Sequence, residues 1–219
     1  MDWYKQDFTT DGKTLVIALG SVNDKYDFNK FEWSNSLEDV SITKRFKKLF
    51  IRDMKTSWWQ TQFEGLDGVG PHPLANFIKE KVKESGAKKT LIIGVSMGAY
   101  GAILLACLAQ LDLAIAISPQ TYLSKFRYRK NNLKEIYAGL NINKEETDLK
   151  VILEKYENAH TQYHIYFGKY NSVDRDHAER ISHFPGVKLF KLESDKHTVS
   201  KIMRDAGIIK NIVINFIKE

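Results

Sequence analysis

A single cysteine, Cys107, stands in a chain of 219 residues, so no disulfide can form within it; that suits a reducing compartment. Prolines number four, and no Pro/Gly/Ser-rich linker, internal repeat or low-complexity tract divides the chain. One domain spanning 1–219 is expected, at an ordinary length for a single core. A stretch that a hydropathy scan would pick out, 99–118, is broken by Gln110 and Asp112; it reads as a buried helix, a turn and a buried strand rather than a membrane span. The first seven residues contain neither an apolar segment nor a small-residue cleavage site, so the cytoplasm is the expected location. No G-x-G-x-x-G or P-loop follows any apolar run, which argues against a nucleotide-binding α/β fold. The net charge of +6 comes from scattered basic residues without a basic–aromatic motif, so no nucleic-acid partner is expected. Acidic glycans or nucleotide-linked substrates would be attracted weakly.

Apolar runs alternating with helical patterns organise the chain. Residues 14–19, 90–95 and 113–117 are continuous apolar runs of strand length, as in strands covered on both faces. Shorter or mixed strands are expected at 48–52 and 163–167, and 187–192 alternates as an edge strand does. Leu74, Phe77, Ile78 and Val82 follow helical spacing after Pro73, with Gly86 as a stop. Ile208, Ile209, Ile212, Val213, Phe216 and Ile217 form one stripe of a final helix. Strands separated by helices imply right-handed crossovers, giving an α/β, three-layer, mostly parallel sheet of about six or more strands. The interval 120–160, with a helix near 148–156, is long for a simple crossover and reads either as an excursion where a lid would lie or as a plain surface crossover.

The feature that carries chemistry is Gly94-Val95-Ser96-Met97-Gly98. A buried strand runs into it and a small-residue helix, with Ala99, Gly101, Ala102 and Ala106, runs out of it. A serine on so sharp a turn needs small neighbours, and at a helix N-terminus it meets backbone N–H groups that favour developing negative charge. This strand–turn–helix context is the nucleophile elbow.

The elbow resembles that of the α/β-hydrolase superfamily, and the likeness extends over nearly the whole chain from Thr14 onward, with the superfamily's early antiparallel strands reduced. The resemblance implies a serine hydrolase that needs no cofactor or metal, with its triad in the chain order serine, acid, histidine. Ser96 would be the nucleophile and His197, after the sixth strand, the base. Asp174 is the expected acid, with Asp176 second; Asn171 occupies the spacing at which many superfamily members hold their aspartate. The resemblance also implies an oxyanion hole from the Met97 N–H and a second N–H, Ser21 or Val22, after the first buried strand.

Trp58 and Trp59 lie in a loop expected at the active-site end of the sheet, where exposed rings would stack on sugars or acyl groups; the alternative is that both are half-buried packing residues. Together with the elbow and the segment 118–121, including Gln120, this loop is similar to that of small hydrolase-like domains found with bacterial capsule, surface-polysaccharide and accessory-secretion glycosylation genes. That narrower likeness implies a glycan ester substrate, and Trp58, Trp59 and Gln120 as binding residues. Three functions follow as expectations: an ester hydrolase, an O-acyltransferase using the same triad, and a non-catalytic binding domain on a hydrolase fold. Cys107, among Leu104, Leu105 and Leu108, is expected in the core.

Overall fold

The computed structural model describes residues 3–22, 33, 37–38, 40, 45–123, 147–156, 160–197 and 199–218. Among the described residues seven strands form one sheet: β1 (Tyr4–Asp7), β2 (Thr14–Leu19), β3 (Lys47–Ile51), β4 (Lys89–Val95), β5 (Leu113–Ile117), β6 (Gln162–Gly168) and β7 (Val187–Leu192). Six helices accompany them among the described residues: α1 (Pro71–Ser85), α2 (Met97–Ala109), α3 (Leu149–Lys155), α4 (Ser172–Arg180), α5 (Val199–Asp205) and α6 (Ile208–Lys218). The strand order is β1-β3-β2-β4-β5-β6-β7; only β1 is antiparallel to its neighbour. No described helix is long and apolar enough to cross a membrane.

Alternate residues of the central strands feed two cores. Leu15, Ile17 and Leu19 pack with α1 and α2 on one face, and Val16 and Ala18 pack with Val199, Met203, Ile209 and Val213 of α5 and α6 on the other. This explains why 14–19 is apolar at every position but its first. All thirteen residues of α2 are buried, which accounts for its lack of a polar stripe. The edge strand β7 has the alternating burial its sequence suggests.

From β2 the chain passes to β3 on one side, then returns through α1 to β4 on the other. The connections leaving the C-terminal ends of β2 and β4 therefore diverge and open a crevice between them, the usual place for a site in a parallel sheet. Residues 124–146, the interior of the expected lid excursion, lie outside the described residues. Its flanks are fixed. Tyr122 bridges Asp148, and Arg180 of α4 makes two 2.6 Å hydrogen bonds to the Asp148 carboxylate.

Cys107 is fully buried, and burial pushes its thiol up to about 11. It should resist a thiol-specific disulfide reagent at pH 8 while the folded chain persists, and react completely in denaturant; rapid labelling of folded protein would contradict its core position.

Candidate active site

The elbow is built by steric exclusion. Ser96 lies between β4 and α2 at φ 52°, ψ −112°, a positive-φ conformation that a side chain rarely adopts. Its N–H donates to the Ile117 carbonyl at 2.9 Å and its carbonyl accepts from the Tyr100 N–H at 3.0 Å, which over-determines the turn. A Cβ on Gly94 would collide with the Gly98 carbonyl, so the strand and helix can meet here only without one.

Ser96 Oγ makes no helix cap and lies 3.0 Å from His197 Nε2. His197 Nδ1 lies 2.8 Å from Asp174 Oδ1. An ionised carboxylate can only accept, so Nδ1 carries the proton and Nε2 is left to accept from the serine hydroxyl. The histidine side chain is 39% exposed and the aspartate 3%. Asp174 Oδ2 is buried with no hydrogen-bond partner among the described residues.

The three acid candidates take different positions. Asn171 is the N-cap of α4: its Oδ1 accepts from the Asp174 N–H at 3.0 Å, and its Nδ2 donates to the Asp195 carbonyl at 3.2 Å. It ties the start of the helix to the loop that leads to His197. Asp174 sits in the first turn of α4, buried against His197, whereas Asp176 is exposed. Helical geometry explains the split, since positions two apart point in different directions.

Gly20 N–H is committed to the Ile51 carbonyl at 2.9 Å and cannot serve an oxyanion. Ser21, half-buried, and Val22, 38% exposed, follow it at the crevice. Met97 begins α2 directly after Ser96 and is buried. Gln120 is half-buried in the connection after β5.

The exposed stacking surface expected of Trp58 and Trp59 is corrected: both are buried, 3% and 0% exposed. Trp58 packs edge-on against Tyr100, and Trp59 donates its indole N–H to the Met97 carbonyl at 2.9 Å and stacks with Phe63. A tryptophan pair in a glycine-containing loop reads as exposed, but here the loop folds inward around the buried Asp53. Its carboxylate accepts from Ser57 Oγ, at 3.1 and 3.0 Å, and from the N–H groups of Lys55 and Trp59 at 3.2 and 2.8 Å. Burial raises the Asp53 pKa above the usual carboxylate range, against the lowering effect of these donors. Sequence reasoning passes over Asp53; an Asp followed four residues later by Ser, at the end of a strand, is the available signal.

Other histidines stand apart from the serine. His164 packs on Phe190, His160 pairs with Asp112, and His177 is buried with Nδ1 accepting from the Thr121 N–H at 3.1 Å. Among the described residues no three His, Cys, Asp or Glu side chains are grouped as a metal site requires.

The fold is that of the α/β hydrolases, with an elbow serine at the crevice of its sheet. The chain is similar over 99% of its length to the capsule O-acetyltransferase of Neisseria meningitidis serogroup A, covering 90% of that chain at 17% identity and a TM-score of 0.71. It is similar over 96% of its length to FphF, a fluorophosphonate-binding serine hydrolase of Staphylococcus aureus, covering 86% of that chain at 17% identity and a TM-score of 0.66. It is also similar to Est1E of Butyrivibrio proteoclasticus, covering 99% of this chain and 93% of that one at 12% identity and a TM-score of 0.58. No protein-family model and no curated protein matches the sequence.

Proposed function

We propose that this protein is a serine acyl-transfer enzyme, an ester hydrolase acting through an acyl-enzyme on Ser96. The observation that carries the reading is the hydrogen-bonded series Ser96 Oγ–His197 Nε2 and His197 Nδ1–Asp174, at 3.0 and 2.8 Å, hung on a strained elbow. His197 takes the serine proton as Oγ attacks the ester carbonyl, and Asp174 holds the imidazole in the required tautomer and stabilises its positive form. The Met97 N–H and that of Ser21 or Val22 stabilise the oxyanion. His197 then protonates the departing alcohol, and water, activated by the same histidine, releases the acid.

The substrate in this reading is an acylated bacterial polysaccharide or a related glycan ester. It is supported by the likeness to a capsule O-acetyltransferase, a protein whose mutant has also been solved in complex with CoA. The same likeness favours a second reading, O-acyl transfer, in which a sugar hydroxyl replaces water as acceptor. Both readings use a cytoplasmic protein without a metal or tightly held cofactor, and Gln120 as a residue at the substrate crevice.

A fluorophosphonate probe, read by intact mass, is expected to give one adduct on the wild-type chain. Acetyl esters and acetyl-CoA should then be offered with and without an oligosaccharide acceptor. Acetate release independent of acceptor identifies the hydrolase; acetylated sugar, formed at the expense of acetate, identifies the transferase. Folded protein that takes no adduct and turns over neither donor would instead leave a binding domain on a hydrolase fold.

A further inference from the structure

Each backbone segment that flanks the crevice has an indole N–H on one of its carbonyls. Trp59 Nε1 donates to the Met97 carbonyl at 2.9 Å, in the first turn of α2, and Trp33 Nε1 donates to the Leu19 carbonyl at 3.1 Å, at the end of β2. The two segments also touch one another: a Cβ on Gly98 would stand 2.9 Å from the Gly20 carbonyl oxygen and 3.0 Å from that of Leu19. The N–H groups expected to face an oxyanion, those of Met97 and of Ser21 or Val22, lie within three residues of these clamped carbonyls.

The Trp59 clamp is a built feature. The α2 helix admits an indole to its first turn because residue 101 is glycine; a Cβ there would collide with Trp59 Nε1. The loop that delivers the indole holds Thr56, Trp58 and Trp59 at φ 52°, 58° and 68°, conformations that persist only when the surroundings enforce them. The enforcing group is the Asp53 carboxylate, 5% exposed, which takes the Trp59 N–H at 2.8 Å and both Ser57 Oγ and the Lys55 N–H.

We infer that Trp59 and Trp33 are positioning residues that lock the two halves of the oxyanion site, with Asp53 as the buried anchor of Trp59; the inference rests on Ser96 acting as the nucleophile. A donor contributes to catalysis only when it is aimed at the developing charge before the reaction begins. The clamped carbonyls belong to the Met97–Gly98 and Leu19–Gly20 peptides, each of which shares a Cα with the peptide that carries the Met97 or the Ser21 N–H. Fixing them restricts the backbone rotations at Met97 and Gly20 by which those donors would turn away. Neither indole touches the reacting atoms, so their removal acts on the transition state through the backbone rather than on substrate binding.

The test compares the full-length wild type with Trp59→Phe and Trp33→Phe, using an acyl ester and a trifluoromethyl ketone that forms a hemiketal with the serine. In each variant kcat should fall roughly tenfold, below the full loss of a direct oxyanion donor, with KM within about twofold. The ketone Ki should rise by the same factor as kcat/KM falls, a correlation that loosened packing alone would not produce. Should Trp59→Phe fold poorly, β-(3-benzothienyl)alanine at position 59 removes the N–H while keeping the ring shape, and the same expectations apply. Unchanged kcat and Ki, or a rise in KM alone, would overturn the clamp. Wild type that neither takes the fluorophosphonate adduct nor turns over would overturn the nucleophile reading itself; labelled, active wild type beside unaffected variants overturns the clamp alone.

Discussion

Replacing Ser96 with alanine is expected to lower kcat/KM for an acyl ester by about 10⁴–10⁶-fold and to abolish the fluorophosphonate adduct. The lone thiol cannot take over the attack: Cys107 is fully buried in α2, and burial holds it protonated. The loss should come without unfolding. Ser96 Oγ caps no helix and its hydrogen bond goes to His197, a part-exposed ring, so deleting the hydroxyl strands no buried donor. The turn itself rests on the backbone, through Ser96 N–H to Ile117 and Ser96 carbonyl to Tyr100, and alanine retains both bonds. The thermal midpoint is expected to stay within about 3 °C of wild type, which is roughly 1 kcal/mol or less for a domain of this size. Residual turnover at wild-type rate, or an adduct that persists on the variant, would assign the nucleophile elsewhere.

How far the sequence reveals this site depends on which interactions are local. The elbow is legible because its tightest steric exclusion acts within five residues: a Cβ on Gly94 would meet the Gly98 carbonyl, and the apolar run before it marks the strand, whereas Gly98 answers to a distant neighbour, the carbonyls of Leu19 and Gly20. The buried strands at the centre of the sheet are legible for a similar reason, since both faces are covered and no charged residue interrupts them. β1 is not, because Tyr4–Asp7 is mixed in character and becomes a strand only by pairing with β3 at the sheet edge. The acid stays open among Asn171, Asp174 and Asp176 at the level of sequence because the outcome depends on where α4 begins. Once Asn171 caps the helix, Asp174 turns inward and Asp176 outward. Trp58 and Trp59 read as exposed because their burial is set by a distant partner, the first turn of α2, and by a carboxylate that sequence patterns do not mark as buried.

Asp174→Asn is expected to cost about 10⁴-fold in kcat with KM little changed, and Asp176→Asn less than about twofold. The surroundings of Asp174 make the amide a poor substitute in either orientation. If the substituted amide turned its NH₂ toward His197, Nδ1 would have to accept, Nε2 would carry the proton, and the serine hydroxyl would lose its acceptor. If it turned its oxygen toward His197, the NH₂ would occupy the position of Oδ2, which is buried and has no partner among the described residues. The second orientation preserves the tautomer but leaves a buried donor unsatisfied and supplies no negative charge to balance the imidazolium that the proposed attack by Ser96 would form. Both orientations therefore weaken the transition state rather than substrate binding, which fixes the loss in kcat. Asp176 is exposed on another side of α4, away from the triad pair. Both variants are measured against one ester, with kcat and KM determined separately. Equal losses in the two variants would remove Asp174 from the triad.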